Sequence, residues 1–468
     1  MIKNFKWGEL FASQLRRNIA SGIGAAMLNI LIGLASYPMY LHFLGYEKYG
    51  IWLALCTVLT FAQMGNFGIN PAVSKLVAEA HGRNDTVAVR RCLTTAWLAV
   101  GVGGGAVFCV VIALRQYIPH LFGVSGPNGQ LMSSLLPYVA LFSAGVFIVE
   151  TLNAVLVGLG RMDLESYFRI FSQAVALICS AVLLAKGHGV AGVLLGNAIA
   201  YVAMLVLSVV ATRRILRSRL LTLSSCNFSE LSKMLRFGGW VFGAAVMNMA
   251  MSPFNRVVLS RYVGIGALPI YEIAYGSAMK VRSLLESGLR AMMPEISRIG
   301  IPLTQDTLRR VVALQGSGLR LISRLGAPLY AAVILLATQL LQIWLRNQFQ
   351  AALPLAFRIM LLGSFLSLIG VPGYYILMGL GRARTCFFTA VIQGGFSMIS
   401  VGFVVLLTGA ISVADVALGA LVGMGLSSAF VLWRIARLTP AYNPPRIPAS
   451  GGGVPFQALP EPVVRVEN

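Results

Sequence analysis

The sequence predicts an all-α integral membrane protein with about twelve transmembrane helices, arranged as two parallel six-helix repeats around a central cavity. Composition, the recurrence of apolar runs and an internal repeat support this prediction. Of the 468 residues, 57% are hydrophobic and only 11% are charged, whereas about a quarter of the residues in soluble domains are charged. Apolar runs long enough to cross about 30 Å of hydrocarbon recur along the chain.

Apolar runs punctuated by Gly, Pro and charged residues predict the position of each helix. In chain order the predicted spans are 18–43, 49–70, 93–114, 131–158, 168–185, 189–211, 237–260, 268–290, 318–341, 353–379, 385–408 and 412–433. Arg320 and Arg324 fall either within the ninth helix or on an amphipathic turn before it.

These spans divide the chain into five segments. The predicted order is a cytoplasmic N-terminal segment (1–17), a first six-helix repeat (18–211), a basic cytoplasmic linker (212–236), a second repeat (237–433) and a cytoplasmic tail (434–468). The tail is rich in Pro and Gly, a composition typical of disorder.

Three short stretches of the first half recur in the second half, in the same order and at offsets between 219 and 223 residues. Because each repeat has an even number of helices, both repeats have the same orientation in the membrane. Such repeats are related by an axis along the membrane normal, and substrates bind at their interface. The matching pairs are GAAMLN (24–29) with GAAVMN (243–248), LVGLGR (156–161) with LMGLGR (377–382), and VAGVLLG (190–196) with VADVALG (413–419).

The net charge of +22 is concentrated on one predicted face of the membrane. With the N-terminus in the cytoplasm and Arg169 counted with the loop it adjoins, 25 of the 37 Lys and Arg residues fall in cytoplasmic segments and five on the opposite side. The positive-inside rule therefore predicts a multi-pass protein with both termini in the cytoplasm. Basic residues beside anionic membrane lipids explain the charge without a nucleic-acid partner.

The eighth predicted helix carries an unusual number of charges. At 100° per residue, Lys280 lies near +80° and Arg282 near −80° from Glu272, and every charge of this helix lies within a sector of about 160°. Lys280 lies about 18 Å from the start of the helix. A charge near the bilayer centre costs about 2.5–3.5 kcal/mol, and such residues usually line a water-filled cavity or are paired.

An alternative explains part of this pattern. Arg282, Glu286 and Arg290 are spaced as a salt-bridged face of a helix that extends into the cytoplasm. Lys280 does not fit that alternative, because its neighbours one turn away are Gly276 and Leu284.

The seventh helix places Asn248, Asn255 and Arg256 on one sector, which extends the predicted cationic cavity. For Arg256 the alternative is a side chain that reaches the outer interface. Glu272 and Glu150 have no obvious partner on their own helices and are candidates for ion coupling, although a polar packing contact is the favoured role for Glu150. Cations outnumber acids in the predicted spans, which favours an anionic substrate.

No motif indicates catalysis. The chain contains no GxxxxGK[ST] sequence for ATP binding, and its six cysteines are scattered singly, without metal-ligand spacing. The sequence therefore predicts a transporter without a cofactor or a metal site, and not an enzyme.

LHFLGYEKYGIWLAL (41–55) and the two GLGR turns (158–161 and 379–382) resemble motifs of Wzx-type polysaccharide flippases. These belong to the multidrug/oligosaccharidyl-lipid/polysaccharide exporter (MOP) superfamily. The resemblance implies that the chain moves an undecaprenyl-diphosphate-linked oligosaccharide across the bacterial inner membrane, for assembly of O-antigen, capsule or exopolysaccharide. It further implies alternating access, coupling to H⁺ or Na⁺, and contact with polysaccharide polymerase or other assembly proteins.

On this resemblance Lys280, Arg282 and Arg256 would meet the diphosphate or an acidic sugar, and Glu272 would be the proton site. The main alternative is an ion-coupled multidrug efflux antiporter of the same superfamily. Such carriers of organic cations favour buried carboxylates, which are scarce here. A lipid scramblase or an assembly scaffold is the second alternative.

Overall fold

The computed structural model describes residues 7–63, 69–83, 85–216, 246, 250–289 and 305–438. Every regular element in these ranges is helical. The helices are α1 (Trp7–Gln63), α2 (Ile69–Gly82), α3 (Thr86–Leu114), α4 (Tyr117–Leu121), α5 (Gly126–Gly158), α6 (Met162–Ala185), α7 (Gly189–Leu216), α8 (250–262), α9 (Ala267–Leu289), α10 (Gln305–Leu321), α11 (Ala327–Leu335), α12 (Ala337–Leu345), α13 (Leu353–Gly379), α14 (Ala383–Thr408) and α15 (Val413–Ala436).

The predicted helical membrane fold is confirmed. Within the described ranges, nine helical segments are long and apolar enough to cross a membrane. One of them, Met27–Phe61 in α1, covers part of the first and part of the second predicted crossing, and α8 is the described part of the seventh. The eighth crossing is α9, which carries four charged side chains. The ninth crossing is one helical segment (Leu308–Leu335) that contains the π-helical turn Ile322–Gly326 between α10 and α11.

Two positions in the first repeat have conformational counterparts in the second. Gly45 (φ 66°) kinks α1 between its two crossings, and Gly264 (φ 115°) separates α8 from α9. In the GLGR turns, the Arg161 amide donates to the Leu156 carbonyl at 2.9 Å, and the Arg382 amide donates to the Leu377 carbonyl at 3.0 Å. The two GLGR turns therefore form the same local structure.

Following the predicted repeats, α1 to α7 are called the first bundle here, and α8 to α15 are called the second. Helix α9 belongs to the second bundle and packs against both α13 and α1, so it lies at the interface between the bundles. Its apolar face is buried, with Ile273, Ala274 and Ala278 inaccessible to solvent.

Several contacts between the bundles lie at the end of the molecule that contains the Gly45 kink, here called the Gly45 end. The Tyr46 hydroxyl donates to the Gln348 carbonyl at 2.5 Å, and the Ser260 hydroxyl donates to the Phe122 carbonyl at 2.6 Å. Gly50 packs directly against the Ile265 carbonyl, where no side chain would fit. The charge distribution predicts that this end faces away from the cytoplasm.

Most of the predicted linker (212–236) and of the predicted tail (434–468) lies outside the described residues. The same is true of Asn248 and Arg290. Arg320 and Arg324 are described, and both are exposed. Neither lines the cavity that contains Lys280 or the one that contains Arg282.

Candidate functional site

A cavity of about 470 Å³ lies between α1, α6 and α9. It is called the Lys280 cavity here. Most of its polar wall comes from six side chains, which are Asn29, Tyr37, Arg169, Gln173, Glu272 and Lys280. Because α1 and α6 belong to the first bundle and α9 to the second, the cavity lies at the interface where the repeat predicts a substrate site.

Lys280 extends from α9 toward α1. Its Nζ lies 5.1 Å from the ring centroid of Tyr37, a distance typical of a cation–π contact. Gly33 makes room for it, since a β-carbon at that position would lie 2.6 Å from Lys280 Cε and 2.9 Å from Nζ. Among the described residues, no carboxylate forms an ion pair with Lys280.

Glu272 lines the same cavity but is paired with Arg256. Arg256 Nη2 donates to Glu272 Oε2 at 2.7 Å, and Nη1 donates to the Leu53 carbonyl and to the Thr57 hydroxyl, each at 3.4 Å. Leu53 and Thr57 belong to α1, so the pair joins α8 and α9 to the first bundle. These contacts satisfy most of the hydrogen-bonding capacity of the guanidinium and hold it at the interface between the bundles.

The structure does not place Arg256 or Asn255 on the wall of the Lys280 cavity, where the sequence predicts them. Arg256 is only 9% exposed, and Asn255 is fully buried. Asn255 Nδ2 donates to the Tyr271 hydroxyl at 2.8 Å. Asn255 and Arg256 therefore donate hydrogen bonds to groups on α1 and α9 and do not face the Lys280 cavity.

Arg169 is a cavity residue that sequence reasoning missed, because the positive-inside count assigned it to a cytoplasmic loop. It lies within α6 and lines the Lys280 cavity. Its Nε donates to Glu165 at 2.7 Å, and its Nη2 donates to Glu150 at 3.3 Å. Glu150 therefore has a partner on another helix. The Glu165–Arg169 spacing of one helical turn was the available signal.

A second cavity, of about 360 Å³, lies within the second bundle between α9, α13, α14 and α15. It is called the Arg282 cavity here. Arg282 Nε lies 3.4 Å from Glu286 Oε2, and the Tyr375 hydroxyl donates to Glu286 Oε1 at 2.9 Å. Tyr275 lines both cavities.

The polar face predicted for α9 is therefore divided between two cavities. Lys280 and Arg282 are separated by about 160° around the helix axis, so they line cavities on different sides of the helix. The charges in these cavities also differ. Arg169, Arg256 and Arg282 each face a carboxylate, whereas Lys280 is the cavity cation without one in the described part of the chain. Within the same ranges, no three His, Cys, Asp or Glu side chains are grouped as a metal site would require.

The comparison with protein families identifies the chain. A family model described as polysaccharide biosynthesis protein matches residues 15–300, more than half of the sequence. The chain belongs to this family. The comparison with curated proteins finds no match for this polysaccharide biosynthesis protein.

The fold of this polysaccharide biosynthesis protein is shared with solved transporters. An inward-facing multidrug resistance MATE family transporter of the MOP superfamily is similar with a TM-score of 0.73 at 13% identity, over 89% of this chain and 96% of that one. A Vibrio cholerae MATE transporter has a TM-score of 0.61 at 13% identity, over 93% and 98% of the two chains.

A third similar structure is a MOP superfamily transporter from Pyrococcus furiosus, whose binding pocket is described as having reverse polarity that suggests a different function. Its TM-score is 0.63 at 13% identity, over 91% and 96% of the two chains. The family match confirms the predicted resemblance to polysaccharide biosynthesis proteins, and the fold is the one found in these transporters of the MOP superfamily. The protein is a multi-pass membrane protein with the fold of a transporter.

Proposed function

We propose that this protein translocates an undecaprenyl-diphosphate-linked oligosaccharide across the bacterial inner membrane by alternating access, for surface polysaccharide assembly. The proposal rests mainly on the environment of Lys280. This side chain lines a cavity, and no carboxylate among the described residues forms an ion pair with it. The family provides independent support, since its members are described as polysaccharide biosynthesis proteins.

The charge of the Lys280 cavity favours an anion. A buried ammonium is costly unless something compensates it. The Tyr37 ring compensates Lys280 weakly, whereas a diphosphate would form short, charge-assisted hydrogen bonds with it. Arg169 is also at this cavity, but Glu150 and Glu165 already engage it. Lys280 is thus the group best suited to receive the diphosphate.

Contacts between the bundles support alternating access. Tyr46, Ser260 and Gly50 contribute bundle–bundle contacts at the Gly45 end, the end predicted to face outward. The resemblance to an inward-facing transporter, at a TM-score of 0.73, is stronger than that to an outward-facing one, at 0.62. These observations support an inward-open state in which the headgroup enters from the cytoplasm while its lipid tail stays in the bilayer.

Glu272 is the proposed ion-coupling residue. It lines the Lys280 cavity and also holds Arg256, which donates to α1. Protonation of Glu272 would remove the ion pair while leaving Arg256 charged. The contact between the bundles would then weaken, so proton binding and opening of the Gly45 end would be linked.

Efflux of cationic drugs is the second candidate, favoured by the fold shared with MATE transporters. Two observations weigh against it. The carboxylate in the Lys280 cavity is already neutralised by Arg256, and the Pyrococcus furiosus relative, described as having a pocket of reverse polarity, belongs to the same fold. The fold therefore also occurs with a binding pocket of reverse polarity.

The proposal is tested by deleting the gene in its host and complementing with wild type, Lys280→Glu or Lys280→Arg. A matched control is Lys186→Glu, which changes an exposed lysine between α6 and α7. We expect the deletion to abolish surface glycan and to accumulate its lipid-linked precursor in the inner leaflet. Wild type and Lys186→Glu should restore export, Lys280→Arg should restore part of it, and Lys280→Glu should not.

Unchanged surface glycan together with increased drug sensitivity in the deletion strain would favour efflux instead. If Lys280→Glu is made at wild-type levels and restores export fully, Lys280 is not the anion-binding group.

A further inference from the structure

The proposed function gives no role to the Arg282 cavity. We infer that it binds an uncharged sugar of the transported headgroup, while the Lys280 cavity holds the diphosphate. This inference rests on the proposed function and extends it, because it divides recognition of one headgroup between two cavities.

The lining of the Arg282 cavity is unusually polar for the interior of a membrane bundle. Besides Arg282 and Glu286, it presents Ser367, Tyr374, Thr389, Gln393, Ser427 and Ser428. Within a membrane protein, unpaired polar groups are retained where they line a cavity that holds water or a polar ligand. The four helices thus converge on a polar ligand site.

Two hydroxyl groups of this cavity donate hydrogen bonds to backbone carbonyls but can still accept hydrogen bonds from a ligand. The Ser428 hydroxyl donates to the Leu366 carbonyl at 2.6 Å, and the Thr389 hydroxyl donates to the Thr385 carbonyl at 3.0 Å. Each hydroxyl oxygen still has lone pairs for a ligand hydroxyl. These residues therefore offer acceptors to the cavity.

Other groups of the cavity offer both donors and acceptors. In the described part of the chain, the Gln393 amide and the Tyr374 hydroxyl have no hydrogen-bond partner. Arg282 Nε is buried and forms no hydrogen bond, although it lies 3.4 Å from Glu286 Oε2. A sugar hydroxyl both donates and accepts, and this mixture of free donors and acceptors matches that chemistry.

The balance of charge distinguishes the ligands of the two cavities. Arg282 and Glu286 have opposite charges and lie together, so the described lining of the Arg282 cavity carries no excess charge to attract a phosphate. Lys280 leaves the other cavity with an unmatched cation among the described residues. An uncharged polyhydroxylated ligand fits the first cavity, and an anionic ligand fits the second.

The positions of the two cavities fit covalently connected groups. Lys280 and Arg282 are two residues apart on α9, a rise of about 3 Å along the helix axis. Tyr275 borders both cavities, so the same side chain forms part of each wall. A diphosphate on one side of Tyr275 and a sugar near its other side would lie at similar depth. The volume of about 360 Å³ is within the range of small-ligand pockets.

The test uses the full chain in lipid nanodiscs and two lipid probes. One is undecaprenyl diphosphate, and the other is the lipid-linked oligosaccharide that accumulates in the deletion strain. The test variants are Gln393→Leu and Tyr374→Phe, which remove free polar groups of the Arg282 cavity. Matched controls are Gln342→Leu and Tyr138→Phe, the same changes at exposed positions on α12 and α5.

We expect wild type to bind the sugar-bearing lipid about tenfold or more tightly than undecaprenyl diphosphate. Each test variant should lose about fivefold of that preference, the effect of one hydrogen bond. Affinity for undecaprenyl diphosphate should stay unchanged, and the controls should behave as wild type.

Equal binding of both lipids by wild type would overturn the inference, as would test variants that keep the full preference. A parallel loss of affinity for both lipids would show a structural role for these side chains and would also overturn it. If wild type binds neither lipid, the proposed function itself fails, and this outcome is distinct from the others.

Discussion

The Lys280 ammonium in α9 lies 5.1 Å from the ring centroid of Tyr37 in α1, so a cation of the second bundle rests on an aromatic side chain of the first. Tyr37 packs edge-on against Trp344 at a centroid distance of 5.9 Å. Trp344 Nε1 donates to the Leu34 carbonyl at 3.2 Å. A cation–π contact contributes about 0.5–2 kcal/mol, which is weak enough for a phosphate to replace it. Tyr37 therefore holds Lys280 in the cavity without competing strongly with an anion.

Gly33 tests this placement of Lys280. Gly33→Val should push the ammonium away from Tyr37, because a β-carbon at position 33 would lie 2.6 Å from Lys280 Cε. The backbone of α1 should be preserved, since the lysine head is flexible. We expect export of surface glycan in the complementation assay to fall about tenfold or more, because the binding group is displaced. Gly105→Val is the control, as nothing lies within 4 Å of a β-carbon there. Equal export by both variants would contradict the placement.

The Arg256–Glu272 pair predicts an asymmetric effect on stability. Glu272→Gln leaves the guanidinium, which is 9% exposed, without its counterion. We expect the free energy of unfolding to fall by about 3 kcal/mol, near the lower end for a broken buried pair because Glu272 borders a cavity. Unfolding in detergent, followed by tryptophan fluorescence, measures this loss.

Glu47→Gln is the matched control, since Glu47 is exposed, and it should change stability by less than about 0.5 kcal/mol. Replacing both members of the pair, as Arg256→Met with Glu272→Leu, should recover much of the loss because no uncompensated charge remains. If Glu272→Gln is as stable as Glu47→Gln, the pair does not stabilise the bundle interface.

The fold was largely predictable from the sequence because membrane helices are long and apolar, and because Gly, Pro and charged residues mark their ends. The sequence also indicated positions where the backbone adopts a positive φ. The GLGR motifs flagged Gly160 and Gly381, which have φ of 74° and 72°. The non-helical backbone of Gly45 separates two helical stretches of α1, and it falls in the gap between the first two predicted helices (18–43 and 49–70).

The candidate site was predicted only in part, because periodicity describes one helix at a time. Periodicity singled out Lys280 for the cavity and Glu272 for ion coupling, and both side chains line the Lys280 cavity. It could not show that Glu272 pairs with Arg256 on a neighbouring helix. Nor could it show that Arg169 reaches the same cavity from α6. Partners on different helices depend on how the helices pack, which a single-helix projection does not contain.

The two GLGR turns should respond alike to substitution. Gly160→Ala and Gly381→Ala each place a β-carbon at φ above 70°, which costs about 1–2 kcal/mol. Each variant should lower the free energy of unfolding by that amount. Gly101→Ala and Gly402→Ala are the controls, because both glycines lie within helices and have open space. The controls should raise stability by about 0.5–1 kcal/mol. Opposite effects at Gly160 and Gly381 would contradict the structural equivalence of the repeats.

The orientation in the membrane is tested by cysteine labelling in a background without native cysteines. Lys186→Cys lies between α6 and α7, and Arg83→Cys lies between α2 and α3, where both native residues are exposed. A membrane-impermeant maleimide should label position 186 in cells whose outer membrane is permeabilised. Position 83 should react only after lysis, because basic segments stay in the cytoplasm. The reverse pattern would place both termini outside.

A disulfide at the Gly45 end should stop transport if that end opens during the cycle. A β-carbon on Gly123 would lie 3.3 Å from the Arg261 Cα, close enough for Gly123→Cys and Arg261→Cys to form a disulfide between the bundles. Oxidation should reduce glycan export to the level of the deletion strain, and a reductant should restore it. Each single-cysteine variant is a control, and it accounts for the strain of a side chain at φ 65°. Full export by the oxidised protein would show that the two bundles do not separate at this end, and alternating access would fail.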